Sequence, residues 1–320
     1  MATPPACAVL VVSYDSAALL PECLAGIRAQ TGVACEVWVV DNASHDGSPE
    51  LVRRDFPEAH LVANPENVGF ARANNQVLLA SPAEAFALVN PDAVLPPGAL
   101  RACLDHLLAH PDVAVVGTRL VYADGRAQDS CHRFLSLGGL AAEVLALDRW
   151  LGPDANWSWR RVPGFRPDRA AEVDWLQGAF LVVRGRAVRE VGGFDPDFFM
   201  YGEEMEWCYR LRRAGWKVAY LPEPPVVHLG GATVRPVAAA MFVENLKGHL
   251  RFFRKHRGAL ETLAARLLIG GSVLARWAVR ESAALGLRLI GRPVPEGLRH
   301  RREIFRAAAG WVLRGQPLAR

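Results

Sequence analysis

The chain has 320 residues, of which 51% are hydrophobic, and this is enough to bury the core of one large domain with or without an appendage. Its net charge of +4 is unevenly spread: residues 241–320 hold 16 lysines and arginines against five acidic residues, whereas residues 1–240 hold 21 against 28. The six cysteines form no CxxC pair and no metal-ligand spacing, which excludes a zinc-finger pattern and predicts reduced core thiols in a cytosolic protein.

In the first half of the chain, short apolar runs rich in β-branched residues alternate with amphipathic segments. The predicted strands lie at 8–12, 36–40, 60–63, 86–89 and 113–116. The predicted helices lie at 17–29, 48–55, 70–80 and 98–109. This alternation predicts an α/β fold with a parallel, doubly wound sheet that binds ligands at the carboxyl ends of its strands. No GxGxxG motif follows the first strand, which argues against a dehydrogenase.

The second half of the chain loses this alternation before regaining it. Residues 122–172 are rich in Arg, Trp, Gly and Pro and predict a long irregular connection, of the kind that lines or covers a site. Strands return at 179–183 and 217–221, and the chain is predicted to be helical from about residue 237, with a break at 291–297. The N-terminal residues lack a basic segment ahead of the first strand, so no signal peptide is expected.

We predict one domain at 1–240 and a basic, amphipathic helical extension at 241–320. An apolar stretch of the extension, 263–290, is interrupted by five charged residues: Arg266, Arg276, Arg280, Glu281 and Arg288. Because no run of about 18 uncharged residues exists, a spanning helix is not expected. The pattern favours an amphipathic helix on a membrane surface, with packing against the rest of the protein as the alternative. Nucleic acid is not expected as a partner of the basic extension, because stacking aromatics are few.

Short polar side chains cluster directly after the predicted strands. The clusters are SYDS at 13–16, DNASHDGS at 41–48, NPENVGFARANN at 64–75 and NPDA at 90–93. Such clusters converge at one edge of a parallel sheet, where Asp41 and Asn42 would read a base edge or ribose hydroxyls. Gly69 would admit a phosphate, with Arg72 as its counter-charge. For any one of these residues, a role in a turn or a helix cap is the alternative.

The segment GFDPDFFMYGEEMEWCYR at 193–210 places carboxylates among aromatic rings. Its carboxylates are Asp195, Asp197, Glu203, Glu204 and Glu206, and its aromatic residues are Phe194, Phe198, Phe199, Tyr201 and Trp207. Carboxylates held among rings lose water and shift their pKa, which makes them candidates for base or metal chemistry. The alternative is an acidic first turn of a helix that is favoured by the helix dipole and otherwise solvated.

Taken together, VVSYDS, VVDNASHDGS, NVGFARANN, LVNPDA, WLQGAFLVVR, GGFDPDFFMYGEEMEWCYRLRRAGW and VVHLGGAT resemble the ordered motifs of family 2 glycosyltransferases over roughly residues 7–257. The similarity is greatest to the rhamnosyltransferase-type branch. The resemblance implies a GT-A fold, which is Rossmann-like with a mostly parallel sheet flanked by helices, and here precedes the helical extension.

The same resemblance implies an activity and its reactants. It implies inverting transfer from a nucleotide-sugar donor to a saccharide or lipid-linked saccharide acceptor, in cell-surface polysaccharide synthesis, with a divalent metal, Mn²⁺ or Mg²⁺. Deoxythymidine-diphosphate rhamnose is the donor expected of the branch, and UDP-linked hexoses and galactofuranose remain open. The expected location is the cytoplasm, peripheral on the cytoplasmic face of the membrane.

Roles carry over by position. The resemblance implies donor binding by Ser13, Tyr14, Asp41, Asn42, Ser44, Gly69, Phe70, Arg72, Asn75, Asn90 and Asp92. It implies acceptor binding by Trp175, Gln177, Gly178 and Glu203. Asp92 stands at the family's DxD position, where Asn90 replaces the first acid, and His228 would complete the metal site and favour Mn²⁺ over Mg²⁺. Glu204 is the implied base, at a position where the family usually has Asp.

Other interpretations remain at this stage. A nucleotidyltransferase uses a similar sheet, but its Gly-rich basic loop is missing after the first strand. A non-catalytic glycan- or membrane-binding module would not need both Asp92 and the acidic pair Glu203-Glu204, which are present. The alternative for His228 is a hydrogen bond near a glycine turn, and the alternative for Trp175 is a place in the core rather than a platform for a sugar.

Overall fold

The computed structural model describes residues 7–145, 162, 164–230 and 238–318. Its strands, in chain order, are β1 (Cys7–Ser13), β2 (Cys35–Asp41), β3 (His60–Ala63), β4 (Ala85–Val89), β5 (Ala93–Val94), β6 (Val113–Val121), β7 (Cys131–His132), β8 (Ala171–Val173), β9 (Trp175–Leu176), β10 (Phe180–Arg184) and β11 (Lys217–His228). Its helices are α1 (Leu20–Arg28), α2 (Ser48–Asp55), α3 (Phe70–Leu78), α4 (Ala99–Ala109), α5 (Leu137–Val144), α6 (Gly185–Val191), α7 (Glu203–Arg213), α8 (Ala238–His256), α9 (Gly258–Leu289) and α10 (Glu296–Leu313).

Strand β1 lies between β2 and β4, runs parallel to both and is buried along its whole length. Its sequence CAVLVVS is a continuous apolar run because both faces of a parallel sheet are covered by helices. Successive side chains point to opposite faces of the strand. Val9 and Val11 therefore pack in a core cluster with residues of α1 and α4, whereas Ala8 and Leu10 pack in a second cluster with residues of α3 and α7.

The main sheet is mixed rather than wholly parallel. Its strand order is β3-β2-β1-β4-β10-β6-β11-β5, with β8 paired to β11. Strands β1 to β4 follow the predicted parallel arrangement, but β10 runs antiparallel between β4 and β6. The antiparallel pairing carries the residues that precede β10 back to the edge where β4 ends. This edge holds the candidate site.

The predicted strands and helices of the first half are present, with ends that differ by a few residues. The prediction of an irregular connection at 122–172 is wrong for part of that stretch. Strand β7 pairs with β9 in a small second sheet, β8 joins the main sheet, and α5 forms a helix of eight residues. These strands have two or three residues each, too short to show a period of two in the sequence.

Backbone contacts divide the chain into two units. The first contains all the strands above together with α1 to α4, α6 and α7. The second contains α8, α9 and α10, together with α5 and the short segment Met200–Gly202. The predicted basic extension at 241–320 therefore lies within the second unit, which also takes in a helix from the middle of the chain.

Helix α9 has 32 residues and is long and apolar enough to cross a membrane by length and composition. An 18-residue window within it has a mean hydropathy of 1.3 and no more than two charged residues, and 22% of that window is buried. The whole stretch 263–290 carries five charged residues, whereas this shorter window carries at most two. One such helix is weak evidence for a span.

The cysteines behave as predicted. All six are free thiols, and all but Cys35 are buried in the two core clusters or beside them. Burial raises the pKa of the Cys7 thiol to about 12, so this sulfur is a weak nucleophile.

Candidate active site

The loops after β1 and β2 are joined by hydrogen bonds at the carboxyl edge of the sheet. Ser13 and Asp41 are partners in the parallel ladder, and the N–H of Asn42 donates to the carbonyl oxygen of Ser13 at 2.8 Å. Both carboxylate oxygens of Asp41 accept from Ser44, one from its hydroxyl at 2.6 Å and one from its backbone N–H at 2.9 Å. The strand-end clusters therefore converge as the sequence predicts, and Asp41 is fixed by its own turn.

Asn42 and Tyr14 complete this side of the edge in different ways. Asn42 is buried, and its side-chain oxygen accepts from the amide of Asn64 at 2.9 Å. Tyr14 is 41% exposed, so its ring is available to a ligand. The hydroxyl oxygen of Ser13 is buried and has no hydrogen-bond partner within the described ranges, which leaves a polar atom at the end of β1 to be satisfied.

Asp92 and His228 lie next to each other because the short strand β5 pairs with the end of β11. His228 is the ladder partner of Ala93, and the N–H of Leu229 donates to the carbonyl oxygen of Asp92 at 3.0 Å. The side chains are 7% and 5% exposed, and His228 Nε2 lies 3.3 Å from Asp92 Oδ1. Within the described residues, no three His, Cys, Asp or Glu side chains form a group that could hold a metal ion, so this pair offers two protein ligands.

Gln128 orients the imidazole of His228. Its side-chain oxygen lies 2.8 Å from His228 Nδ1, and its amide nitrogen donates to the carbonyl oxygen of the same histidine at 2.5 Å. An amide oxygen only accepts, so Nδ1 carries a proton and Nε2 is the ring nitrogen that faces Asp92. Gln128 lies in the stretch that the sequence predicts to be irregular, where no pattern singles it out.

Glu204 is held by Gly178. The N–H of Gly178 donates to Glu204 Oε1 at 3.2 Å, and a Cβ atom on residue 178 would lie 2.4 Å from that oxygen. Burial raises the pKa of the Glu204 carboxyl above its ordinary value, while hydrogen bonds from its own backbone N–H and from Gly178 act in the opposite direction. A carboxylate with a raised pKa is a better proton acceptor, which suits the predicted role of Glu204 as a base.

Backbone hydrogen bonding connects the segment of Gly178 to the loop Asn90-Pro91-Asp92 that follows β4. The N–H of Asn90 donates to the carbonyl oxygen of Ala179 at 2.9 Å, directly beyond the pairing of β4 with β10. Asp92 lies two residues after Asn90. Gly178, whose N–H is bonded to Glu204, lies directly before Ala179. The antiparallel direction of β10 brings both segments to the same edge of the sheet.

A second carboxylate of the acidic segment, Glu206, has structural contacts. Glu206 is buried and forms an ion pair with Arg210 at 2.9 Å. Arg210 also donates to the carbonyl oxygens of Val191 and Gly193, which fixes the loop ahead of α7. Glu206 is therefore a buried structural group rather than the capping or solvated group that its position in the first turn suggests.

Helix α3 holds the aromatic segment by contacts that its sequence motif did not reveal. Gly69 has a φ of +88°, and a Cβ atom there would lie 2.4 Å from the ring of Phe199. The side chain of Asn75 donates to the carbonyl oxygen of Phe194 at 2.7 Å and accepts from its N–H at 2.8 Å. Arg72 Nε donates to the carbonyl oxygen of Pro196 at 3.1 Å.

The backbone and ring of Phe70 also contact this segment: its N–H donates to Phe199 at 2.8 Å and its ring lies 5.9 Å from that of Phe194. These contacts account for Gly69, Phe70, Arg72 and Asn75 without a ligand, and their donor-binding roles stay predictions. The buried Phe194 and Trp207 rings lie 4.4 Å apart, so these two aromatic residues of the segment pack against each other.

The predicted acceptor side is built around strand β9. The ring of Trp175 lies 4.3 Å from that of His132, and its Nε1 donates to the carbonyl oxygen of Arg133 at 2.9 Å. Trp175 is partly exposed and packs against the second core cluster. The N–H of Gln177 donates to Ser130 at 2.9 Å, which aligns the segment that leads to Gly178. Glu203 is buried at the start of α7.

The close contact of Gly178 with Glu204 gives a direct test of this geometry. Because φ at Gly178 is not positive, Gly178→Ala is compatible with the backbone, and the new methyl group has to displace the Glu204 carboxylate. We expect the transfer activity that the family resemblance implies to fall by about 100-fold, in line with a displacement of the reacting groups by about 1 Å. Gly138→Ala, where a Cβ meets nothing within 4 Å, is the matched control. Normal transfer by the Gly178 variant would contradict the contact.

Two family descriptions match the chain: Glycosyl transferase family 2 over residues 8–160 and Glycosyl transferase family group 2 over residues 86–241. The chain is 28% identical over 308 residues to the N-acetylglucosaminyl-diphospho-decaprenol L-rhamnosyltransferase of Mycobacterium tuberculosis, an alignment that covers 88% of this chain and 97% of that protein. It is also 34% identical over 85 residues to the rhamnosyltransferase WbbL of Escherichia coli, covering 27% of this chain and 32% of that protein.

Among solved structures, the mannosyltransferase PcManGT from Pyrobaculum calidifontis, in complex with GDP-Man and Mn²⁺, superposes with a TM-score of 0.56. The sequence identity is 21%, and the alignment covers 98% of this chain and 89% of that one. The sheet order, the flanking helices and this likeness define the GT-A fold, as predicted. The chain belongs to glycosyl transferase family 2 and is similar to its rhamnosyltransferases.

Proposed function

We propose that this glycosyltransferase transfers rhamnose, with inversion at the anomeric carbon, from a nucleoside-diphosphate donor to a lipid-linked saccharide. The proposal rests on the hydrogen bond between Asn90 and Ala179. This bond joins the segment that carries Asp92 to the segment that carries the Gly178–Glu204 pair, at one edge of the sheet. Donor binding would use Asp41, Asn42 and Tyr14 at the same edge. The mycobacterial relative supports the lipid-linked acceptor, because its name specifies a diphospho-decaprenol carrier.

Asp92 and His228 fit a divalent metal that is shared with the donor diphosphate. Asp92 Oδ1 and His228 Nε2 lie 3.3 Å apart, so both atoms would be able to hold one ion. One carboxylate and one imidazole suit Mn²⁺ somewhat better than Mg²⁺. When bound, the ion would neutralise charge on the departing diphosphate. Gln128 would keep Nε2 unprotonated and directed at the ion.

Glu204 is the proposed base. An inverting transfer needs a group that takes the proton of the acceptor hydroxyl as its oxygen attacks the anomeric carbon. Glu204 Oε1 is held by the Gly178 N–H, so the other oxygen would take the proton. Trp175, partly exposed at β9, would stack on the acceptor sugar, since an aromatic ring presents an apolar face to one side of a pyranose. Glu203 would orient a donor or acceptor hydroxyl.

A donor screen tests the proposal. Deoxythymidine-diphosphate rhamnose, UDP-hexoses and UDP-galactofuranose would each be incubated with a short-chain prenyl-diphosphate N-acetylglucosamine acceptor, with and without Mn²⁺. We expect acceptor-dependent release of the nucleotide from the rhamnose donor, stimulated by Mn²⁺, and a product whose anomeric configuration is opposite to that of the donor. Release from another donor alone would overturn the choice of sugar. A product with retained configuration would overturn the role of Glu204.

Such an acceptor places the reaction at a membrane. We propose that the protein works in the cytoplasm, in peripheral contact with the inner face of the cytoplasmic membrane, in the synthesis of a cell-surface polysaccharide. The basic extension at 241–320 supports this location, because anionic lipids attract clustered arginines.

A further inference from the structure

The exposed side of α9 is apolar. It carries five leucines that are each 55% to 84% exposed: Leu260, Leu263, Leu267, Leu285 and Leu289. Their spacing of three and four residues places them on one side of the helix, and the step from Leu267 to Leu285 is about five helical turns. Small residues without charge, Gly271, Ala278 and Ser282, occupy the same line between them. We call this surface the leucine face.

Three charged residues of α9 make contacts within the same unit: Arg266, Arg276 and Glu281. Arg266 donates to carbonyl oxygens that follow α10, and Arg276 donates to the carbonyl oxygen of Val144 in α5 at 3.0 Å. Glu281 forms an ion pair with Arg302 of α10 at 2.5 Å. Helix α9 therefore buries Ile269 and Val273 on its inner side and is apolar on its outer side as well.

A group of arginines lies where α9 ends and α10 begins. Arg288, Arg292, Arg299 and Arg301 are all exposed, and none is within 4.0 Å of a carboxylate in the part of the chain that the structure describes. Their positive charge is therefore not balanced locally by ion pairs. It adjoins one end of the leucine face.

We propose that the leucine face is the surface by which the protein lies on an anionic membrane, with α9 parallel to the bilayer plane. The leucines would enter the boundary of the acyl chains, and the four arginines would contact lipid phosphates. A lipid surface explains the apolar face and the adjoining unpaired cations together, whereas a second copy of the chain would bring like charges to the interface. A spanning placement would carry Arg276 and Glu281 into the hydrocarbon at high cost.

This inference rests on the proposed function, since a lipid-linked acceptor requires an enzyme at the membrane. Its test is flotation of the full-length protein with vesicles of phosphatidylcholine, alone or mixed with phosphatidylglycerol. The variant Leu263→Glu/Leu267→Glu changes two exposed side chains and leaves the core intact. We expect it to lower partitioning onto the mixed vesicles by about tenfold or more. Leu108→Glu, 79% exposed on α4 of the first unit, is the matched control and should float like the wild type.

A second variant tests the cations. Arg292→Glu/Arg299→Glu should remove the preference for vesicles with phosphatidylglycerol, and high salt should weaken the binding of the wild type in the same way. Flotation of the leucine variant at the wild-type level would overturn the proposal. So would a wild-type dimer in analytical ultracentrifugation that the leucine substitutions dissociate, because the face would then join two copies. Wild-type flotation that resists alkaline carbonate would indicate a spanning helix and would also overturn it.

The failure of this inference is distinguishable from failure of the proposed function. Flotation uses neither donor nor acceptor, so it reports on the leucine face alone. Release of the nucleotide with a short-chain, soluble acceptor reports on the active site alone. We expect the leucine variant to keep this activity while its binding to vesicles is lost.

Discussion

Glu204→Gln should nearly abolish glycosyl transfer while leaving donor binding close to normal. The amide keeps the shape of the side chain and the hydrogen bond from the Gly178 N–H, but it cannot take the proton of the acceptor hydroxyl. Removal of a general base costs about 10²–10⁴-fold in rate, and we expect the loss in kcat to fall in that range. Acceptor-dependent nucleotide release measures the rate, and calorimetric titration with the donor nucleotide measures binding.

The matched variant is Glu204→Asp. It keeps a carboxylate and restores the residue that the family usually has, so it should retain measurable transfer where the amide does not. Retained turnover in Glu204→Gln would show that another group takes the proton. Loss of donor binding in the same variant would show that Glu204 acts in the donor site instead.

The pH dependence of kcat has a definite sign. A base acts in its deprotonated form, and burial raises the pKa of Glu204, so protonation begins at a higher pH than for an ordinary glutamate. The rate should fall as the pH is lowered through this raised pKa and level off above it. Glu204→Asp should shift this acid limb, whereas a change confined to donor affinity would leave it in place.

The sequence predicts the sheet well because its signals are local. Strands such as CAVLVVS and EVWVVD are apolar over most of their length, and the polar turns after them mark where each strand ends. The parallel order of the first four strands follows from the helices between them. The sequence does not predict the direction of β10. Its antiparallel pairing with β4 depends on contacts between residues that are distant in sequence.

The site was less predictable, for two physical reasons. Asn75, Arg72 and Gly69 have the chemistry to bind a nucleotide, yet they hold the aromatic segment through backbone contacts that the same chemistry allows. Polar residues at a strand edge serve either purpose, and a sequence does not show what they face. Conversely, no motif or periodic pattern in the sequence identifies Gln128. Its role is seen only in the folded chain, where its side-chain oxygen lies 2.8 Å from His228 Nδ1.

Removal of Asp92 should abolish the metal dependence of nucleotide binding. Asp92 would supply the carboxylate of a two-residue ligand set, and without it the protein would offer the ion only the imidazole of His228. We expect Asp92→Ala to bind a nucleoside diphosphate with the same affinity in the presence and absence of Mn²⁺. Calorimetry measures the nucleotide, and electron paramagnetic resonance of Mn²⁺ measures the ion directly. Asp105→Ala, which removes an exposed partner of Arg101, is the control.

The same titrations should grade the residues around the ion. His228→Ala removes a ligand, whereas Gln128→Ala leaves both ligands and frees only the imidazole to rotate or change its tautomer. A partner that orients a ligand typically contributes about 10–100-fold in metal affinity, so Gln128→Ala should lie between the wild type and His228→Ala. Equal Mn²⁺ affinity in all three proteins would show that the 3.3 Å approach of His228 to Asp92 is only a structural contact. The graded order would instead show that His228 binds the ion and that Gln128, anchored to the carbonyl oxygen of His228, orients it.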